Sequence, residues 1–218
     1  MKITQVEPQK SKGRFNIFLD GQFAFGADED LVVDNRLVIG KEIAQEDLGK
    51  ILQEAEVGKL MERMYRLFNI RQRSEKEILD YLKNLSFKRK LKGQEEISLI
   101  ICTTTVGQLK KKGLINDKEF ARSWIESRSK KRGKKLIKME LLQKGISRDI
   151  VEDILNDSNH FNKVSEEQVA ENLLQKKVKV WKNLPEMEMK KKSTDFLLRR
   201  GFEYPVAKLT IEKLLKKE

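Results

Sequence analysis

Three segments of the chain resemble one another at intervals of 59 and 56 residues, as in Ile78 and Ile137, and then Leu141 and Leu197. The segments are RSEKEILDYLKNLSF (73–87), RGKKLIKMELLQKGI (132–146) and KKSTDFLLRRGF (191–202). Each combines apolar residues at helical spacing with a turn position and a following apolar residue. Recurrence at this period predicts a mostly α-helical tandem array of three units with three helices each, elongated and curved. Chance similarity between amphipathic helices is the alternative.

The turn position of each segment predicts where a helix ends. Gly145 and Gly201 hold this position in the second and third segments, and glycine commonly ends a helix by adopting a left-handed conformation. Ser86 holds it in the first segment and departs from the pattern. We expect each of the three helices to end in a turn that is followed by an apolar residue, such as Phe87 or Ile146.

The beginning of the chain has a β-type pattern instead. Arg14–Phe25 reads RFNIFLDGQFAF, in which apolar residues alternate with others on both sides of Asp20-Gly21. That dipeptide favours a type I′ hairpin turn, and Ile3–Val6 is a candidate third strand. We interpret the aromatic residues as one buried face, with a recognition surface as the alternative.

Two helix starts are explicit in the sequence. Ser74 followed by Glu77 forms a capping box, in which the serine oxygen accepts a hydrogen bond from a backbone N–H of the first helical turn. Asn116-Asp117 is the second start, and an apolar stripe follows it. With the repeat, these starts predict a β-rich extension at 1–45 and helical units at 46–113, 114–160 and 161–218.

Positive charge is confined to the later part of the chain. Residues 1–58 contain 7 Lys and Arg against 11 Asp and Glu, whereas residues 59–218 contain 39 against 23. This imbalance favours a phosphate backbone or an acidic protein surface as the partner. Neutralising phosphates releases counterions, so nucleic-acid binding would be independent of sequence and sensitive to salt. A lysine-rich helix face that is merely solvated is the alternative.

Catalytic and metal-binding patterns are weak. One histidine, His160 in a polar linker, and one cysteine, Cys102, are too few for a zinc site. We expect Cys102 to be a structural thiol on a buried helix face, far from a helix N-terminus. The adjacent Glu166-Glu167 diverge and suit the first turn of a helix. No phosphate-binding glycine loop or nucleophile elbow occurs, so we expect a non-enzymatic protein without cofactor or metal.

The composition also bears on location. A single cysteine excludes an intramolecular disulfide and is typical of a reducing cytosol. The first residues lack the apolar core of a signal peptide, and no apolar run approaches the length of a membrane span. We therefore expect a cytoplasmic protein that does not contact a membrane.

Basic residues recur at corresponding positions of the predicted units. The densest group, Arg128–Lys138, contains seven cationic residues and no acidic one. We predict that this group and its counterparts form a basic stripe. Its candidate contact residues are Arg71, Arg73, Arg122, Arg128, Lys130, Lys131, Arg132, Lys134, Lys135, Lys138, Lys190, Lys191, Arg199 and Arg200. Tyr65, Tyr81 and Trp181 are candidates for stacking on bases, although we favour core packing for them.

The central segment resembles a known family. GLINDKEFARSWIESRSKKRGKKLIKMELLQKGI (113–146) is similar to the central repeat of the RecX family. The matching residues are Gly113, Asp117, Phe120, Ala121, Trp124, Arg128, Gly133, Ile137, Glu140, Leu141, Lys144, Gly145 and Ile146. RQRSEKEILDYL (71–82) resembles the family's preceding motif, and the β segment resembles the extension of longer members. Ser86 and Ser193 depart from the pattern, standing where Gly and Ile are expected.

The resemblance implies three tandem three-helix units and a specific role. RecX proteins modulate the RecA recombinase by lying in the groove of its filament on single-stranded DNA, mainly inhibiting recombination, ATP hydrolysis and coprotease activity. The implied partners are therefore the RecA filament and single-stranded DNA, with double-stranded DNA as a further candidate. We expect the protein to be a monomer. The residues alone leave two alternatives: a general sequence-independent nucleic-acid-binding repeat protein, and a scaffold that binds an acidic protein surface.

Overall fold

The computed structural model of the protein describes residues 1–156, 165–181 and 183–215. As predicted, the protein is mostly helical and begins with an antiparallel sheet. The residues pack as two compact units. The first comprises Met1–Arg73 and Ile78–Ile115, and the second comprises Ser74–Glu77 with the described residues from Asn116 onwards. His160 lies outside the described residues, and within them no helix is long and apolar enough to cross a membrane.

Three strands form the sheet of the first unit. They are β1 (Ile3–Pro8), β2 (Arg14–Leu19) and β3 (Gln22–Asp28), in the order β1-β2-β3. Asp20 and Gly21 have φ values of 48° and 84°, as a type I′ turn requires at both central positions. The predicted hairpin and the third strand are therefore confirmed.

The expectation of one buried aromatic face is wrong for Phe23. A β-bulge between β2 and β3 pairs Ile17 with Phe25 but Phe18 with Phe23, so Ala24 has no partner in the register. The extra residue breaks the alternation of faces. Phe25 is consequently buried, whereas Phe23 is 59% exposed and lies edge-on to Phe18, with ring centroids 5.9 Å apart.

Four helices belong wholly or mainly to the first unit. They are α1 (Glu29–Asp34), α2 (Gln45–Ile70), α3 (Glu75–Lys90) and α4 (Leu99–Lys111). The first half of α2 buries Leu48 and Ile51 against the sheet, and its second half packs Leu60 and Met64 into a separate cluster with α3 and α4. The length of α2 thus follows from one continuous apolar stripe that serves two cores.

The predicted end of α3 at Ser86 is wrong. The helix continues to Lys90, so Phe87 lies within it and is 58% exposed. Ser86 remains helical, and its hydroxyl accepts a hydrogen bond from the N–H of Ile97 at 3.0 Å. The left-handed residue that follows the helix is Gly93, with a φ of 68°. Glycine adopts this conformation without the steric cost that serine would meet.

The described residues of the second unit form two sets of three helices. The first set is α5 (Asp117–Arg128), α6 (Lys134–Gln143) and α7 (Arg148–Asn156), and the second is α8 (Glu166–Trp181), α9 (Glu186–Arg199) and α10 (Tyr204–Leu215). Each set has its own apolar cluster. The predicted cap of α5 is confirmed, because the Asn116 side chain accepts a hydrogen bond from the Glu119 N–H at 3.0 Å.

The glycine turns at the ends of α6 and α9 are also confirmed. Gly145 and Gly201 have φ values of 83° and 84°. Gly201 additionally lies against the beginning of α6, where a Cβ added to it would come 2.2 Å from the Cβ of Leu136. This contact brings the end of α9 next to the turn that precedes α6.

Two corresponding pairs of contacts occur within the second unit. The Ser74 hydroxyl donates to the Lys144 carbonyl at 2.7 Å, and 59 residues later the Gly133 N–H donates to the Arg200 carbonyl at 2.9 Å. A carboxylate from the next set then caps the following N–H. Asp117 accepts from Glu75 at 2.9 Å, and Glu166 accepts from Lys134 at 2.8 Å. The sequence repeat therefore extends to these contacts as well as to the helices.

Candidate nucleic-acid interface

A cationic pocket lies where the α5–α6 turn meets the end of α9. Its lining consists of Ser127, Arg128, Lys131, Arg132 and Arg200. Three of the four cations come from one short segment, and Arg200 comes from the next helical set. The prediction grouped all four as candidate contacts, but only the fold shows that they face a common space.

Backbone hydrogen bonds hold the two sides of this pocket together. Arg200 accepts from the Gly133 N–H through its carbonyl and donates from Nη1 to the Lys131 carbonyl at 3.2 Å. A Cβ on Gly133 would come 2.3 Å from the Gly201 carbonyl oxygen, so the close approach requires glycine at that position. The Arg200 guanidinium also stacks on Phe196, at 4.6 Å from the ring centroid.

Glu140 orients the other two arginines. Its carboxylate accepts a hydrogen bond from Trp124 Nε1 at 2.8 Å, pairs with Arg132 and lies 4.0 Å from Arg128 Nε. The Arg128 guanidinium stacks on the Trp124 ring, 4.6 Å from its centroid. One carboxylate cannot neutralise four cations, so the pocket retains a positive charge. The sequence did not predict this role of Glu140. The contact between Trp124 and Arg128 was predictable, because residues at i, i+4 spacing are neighbours on a helix.

A second basic surface borders the α6 and α9–α10 segments. Lys134, Lys135, Lys138 and Arg199 line a cleft there together with apolar residues such as Met139. Lys138 pairs with Glu152 at 2.9 Å, in a contact that lowers the pKa of that exposed carboxyl. The cleft therefore combines apolar surface with lysines, in contrast to the almost wholly cationic pocket.

The predicted contact residues differ in what they bind within the protein. Arg122 pairs with Glu119 at 3.5 Å, and Lys190 pairs with Glu186 at 2.6 Å. Each pair lies within a single helix, the first in α5 and the second in α9. Exposed pairs of this kind contribute little to stability and can exchange for a ligand. Among the described residues, no ion pair involves the side chains of Lys130, Lys131, Lys135, Lys191 or Arg199.

Two predicted residues belong to the other compact unit. Arg71 is exposed and donates from Nη1 to the Gln72 carbonyl at 2.8 Å. Arg73 is half-buried, and its Nε is buried without a hydrogen-bond partner in the described part of the chain. The predicted stripe thus divides into a well-defined pocket, a mixed cleft and separate arginines of the first unit.

Two of the three candidates for base stacking have the core-packing role that we favoured. Tyr81 is half-buried against the core of the first unit, and Trp181 packs edge-on against Phe196 with centroids 6.0 Å apart. Tyr65 is 36% exposed. Nothing in these contacts assigns a nucleic-acid role to the three side chains.

Cys102 is half-buried rather than buried, and it lies in the first turns of α4, so the expected distance from a helix N-terminus is wrong. Burial raises the pKa of its thiol above the ordinary value. Desolvation disfavours the charged thiolate, and a raised pKa is typical of a structural cysteine.

Three models of known protein families match the chain. They are the regulatory protein RecX N-terminal domain at residues 1–44, and the second and third RecX three-helix domains at 116–155 and 165–209. The regulatory protein RecX of Clostridium beijerinckii is 31% identical over 218 residues, which cover 98% of this chain and 96% of that protein. The chain belongs to the RecX family. Another relative, regulatory protein RecX of Listeria welshimeri, is 30% identical over 95% of this chain and 74% of its own length.

Solved structures agree with this assignment. A crystal structure of a regulatory protein RecX superposes with a TM-score of 0.73 at 25% identity, covering 97% of this chain and 98% of that one. RecX from Lactobacillus salivarius gives a TM-score of 0.58 at 24% identity over 72% of this chain and 96% of its own, which supports the fold. These relatives are named as regulatory proteins, a non-enzymatic role.

Proposed function

We propose that this chain regulates the RecA recombinase, mainly as an inhibitor, by binding in the groove of the RecA filament on single-stranded DNA. The observation that carries the proposal is the similarity, over nearly its whole length, to proteins named regulatory protein RecX. Reduced recombination, ATP hydrolysis and coprotease activity would follow from such binding. The proposal carries with it a monomeric chain and a cytoplasmic location.

The distribution of charge supports a polyanionic component in the target. Lys131 and Lys135 are exposed on the α5–α6 segment and form no ion pair within the part of the chain that the structure describes. Binding a phosphate backbone through such lysines costs no internal contact and releases counterions. We therefore propose this segment as a contact with the nucleic acid of the filament.

RecA-dependent ATP hydrolysis on single-stranded DNA tests the proposal. The protein is titrated from substoichiometric to equimolar amounts at low and moderate salt, and hydrolysis is expected to fall with dose. Charge reversal of Lys131→Glu with Lys135→Glu should weaken the inhibition. The matched control reverses Lys10 and Lys12, two exposed lysines in the acidic part of the chain, and should leave the inhibition intact.

A general nucleic-acid-binding repeat protein is the second candidate, and the same exposed lysines favour it. Such a protein would bind single-stranded DNA with a steep dependence on salt but would not distinguish a RecA filament from bare DNA. Unchanged hydrolysis together with salt-sensitive DNA binding would reject RecA regulation and leave this second function.

A further inference from the structure

We propose that Arg128, Lys131, Arg132 and Arg200 form a pocket for one backbone phosphate of single-stranded nucleic acid, and that this phosphate links two helical sets. The inference rests on the proposed function, because it specifies how the same site meets nucleic acid. It goes further in naming the ligand group and in assigning an essential part to Arg200, which lies on a different helical set from the other three cations.

The donors of the pocket exceed its internal acceptors. A guanidinium carries five N–H donors. Arg200 uses one of its nitrogens on the Lys131 carbonyl, and its stacking on Phe196 leaves the edge of the guanidinium available. Lys131 contributes an exposed ammonium without an ion pair among the described residues. A tetrahedral phosphate group can accept from several such donors at once.

The two remaining arginines are held in place before a ligand arrives. Glu140, whose side chain is only 14% exposed, pairs with Arg132 and lies close to Arg128, while the Trp124 ring supports the Arg128 guanidinium. Side chains that are already ordered lose less conformational freedom on binding than free surface arginines. The pocket is therefore better suited to one defined phosphate than to diffuse attraction.

A bound phosphate would connect two elements that are otherwise joined by backbone contacts. Arg128, Lys131 and Arg132 belong to the end of α5 and the α5–α6 turn, whereas Arg200 caps α9. The Gly133–Arg200 hydrogen bond already sets their separation. A ligand that binds this assembled form, but not the unfolded chain, must stabilise it.

Fluorescence of Trp124 provides a local signal for the test. The chain has two tryptophans, so Trp181→Phe leaves Trp124 as the single emitter, next to the pocket. The full chain carrying this change is titrated with a dT oligonucleotide that lacks terminal phosphates, and separately with inorganic pyrophosphate. RecA is absent. Binding is also followed by anisotropy of a labelled dT oligonucleotide at several salt concentrations.

Two matched pairs of variants separate the pocket from general charge. Lys131→Gln is compared with Lys118→Gln, an exposed lysine of the same unit that does not line the pocket. Arg200→Gln is compared with Arg148→Gln, an exposed arginine of the same unit that also lies outside the pocket. The Lys131 side chain forms no ion pair or hydrogen bond among the described residues, so Lys131→Gln keeps the test decisive if Arg200→Gln unfolds, which circular dichroism will reveal.

Both pocket variants should weaken oligonucleotide binding about tenfold and lower the salt slope by about one. Their matched controls should change affinity less than about twofold, and the Trp124 signal should saturate with the oligonucleotide. Equal losses within each pair would overturn the pocket and indicate a diffuse basic surface. A different result would be that the pocket variants weaken binding of pyrophosphate more than their controls do, but weaken binding of the oligonucleotide no more than their controls do. This result would overturn nucleic acid as the source of the bound phosphate and would indicate a free phosphate compound.

The outcome is separable from that of the proposed function. Pair-dependent oligonucleotide binding with no effect on RecA hydrolysis would support the pocket while rejecting RecA regulation. Inhibition of RecA that is equal in Lys131→Gln and Lys118→Gln, together with equal oligonucleotide binding, would reject the pocket while leaving RecA regulation in place.

Discussion

Replacement of Gly201 by alanine should destabilise the second unit through two separate effects. Gly201 has a φ of 84°, a left-handed conformation that an L side chain adopts only with strain. Its new Cβ would also lie 2.2 Å from the Cβ and 2.5 Å from the backbone nitrogen of Leu136. A backbone nitrogen inside a helix cannot move away alone, so the end of α9 and the start of α6 would have to separate.

The magnitudes of the two effects can be estimated independently. The left-handed conformation costs an alanine about 1–2 kcal/mol. Forcing an extra methyl group into a close contact costs about 1–3 kcal/mol more. Gly113 provides the matched control, because it follows the end of α4 with a φ of 69°, and a Cβ added to it would meet no described atom within 4 Å. Gly113→Ala should therefore lose only the first contribution.

Urea denaturation followed by far-ultraviolet circular dichroism measures both variants against the parent chain. The free energy of unfolding should fall by about 2–5 kcal/mol for Gly201→Ala and about 1–2 kcal/mol for Gly113→Ala. Tryptophan fluorescence adds a probe of the second unit, which contains both Trp124 and Trp181. Equal losses in the two variants would refute the close approach of α9 to α6.

Three further outcomes are expected. The Ser74 hydroxyl accepts a hydrogen bond from the Glu77 N–H at 3.2 Å and donates one to the Lys144 carbonyl, so Ser74→Ala removes a helix cap and a second hydrogen bond. It should lose about 1 kcal/mol more than Ser98→Ala, which removes only a cap, and equal thermal shifts would contradict this. Burial raises the pKa of Glu166 above the ordinary 4.5, although the hydrogen bond from the Lys134 N–H opposes this shift. The contribution of Glu166 to the free energy of unfolding is therefore present at low pH and is lost as the pH rises through the raised pKa. Glu166→Gln should therefore flatten the pH dependence of unfolding in that window, and an unchanged profile would reject the assignment. Cys102 should react with a thiol reagent at mildly alkaline pH more slowly than a free cysteine, because its raised pKa leaves less thiolate; reaction at the same rate would count against burial.

The elements that sequence predicted well are those whose signals are local. The cap at Asn116, the type I′ turn at Asp20-Gly21 and the glycine ends at Gly145 and Gly201 each depend on one or two residues and on backbone geometry. Such signals survive in any tertiary context. The prediction failed at Ser86 because the repeat alignment placed a helix end there, whereas the nearest glycine able to adopt the left-handed conformation is Gly93.

The site was predictable as a composition but not as a geometry. The basic residues are visible in the sequence, yet their partners depend on packing. Glu140 accepts a hydrogen bond from Trp124 and pairs with Arg132 because α6 folds back on α5. The composition of the sequence does not predict these contacts. The bulge that exposes Phe23 is similar, since a single unpaired residue reversed the expectation from alternation.

Comparison of the two corresponding contacts within the second unit separates structure from function. In one, the Ser74 hydroxyl donates to the Lys144 carbonyl, and in the other the Gly133 N–H donates to the Arg200 carbonyl. The charged residues around the two contacts do not correspond. The sequence positions that align with Arg128, Lys131, Arg132 and Arg200 are Asn69, Gln72, Arg73 and Lys144. Lys144 is moreover paired with Glu77 at 2.5 Å. The hydrogen bond between Gly133 and Arg200 needs no cations, and two of the four aligned positions, Asn69 and Gln72, are uncharged. A polyanionic ligand would account for the additional positive charge at the second contact.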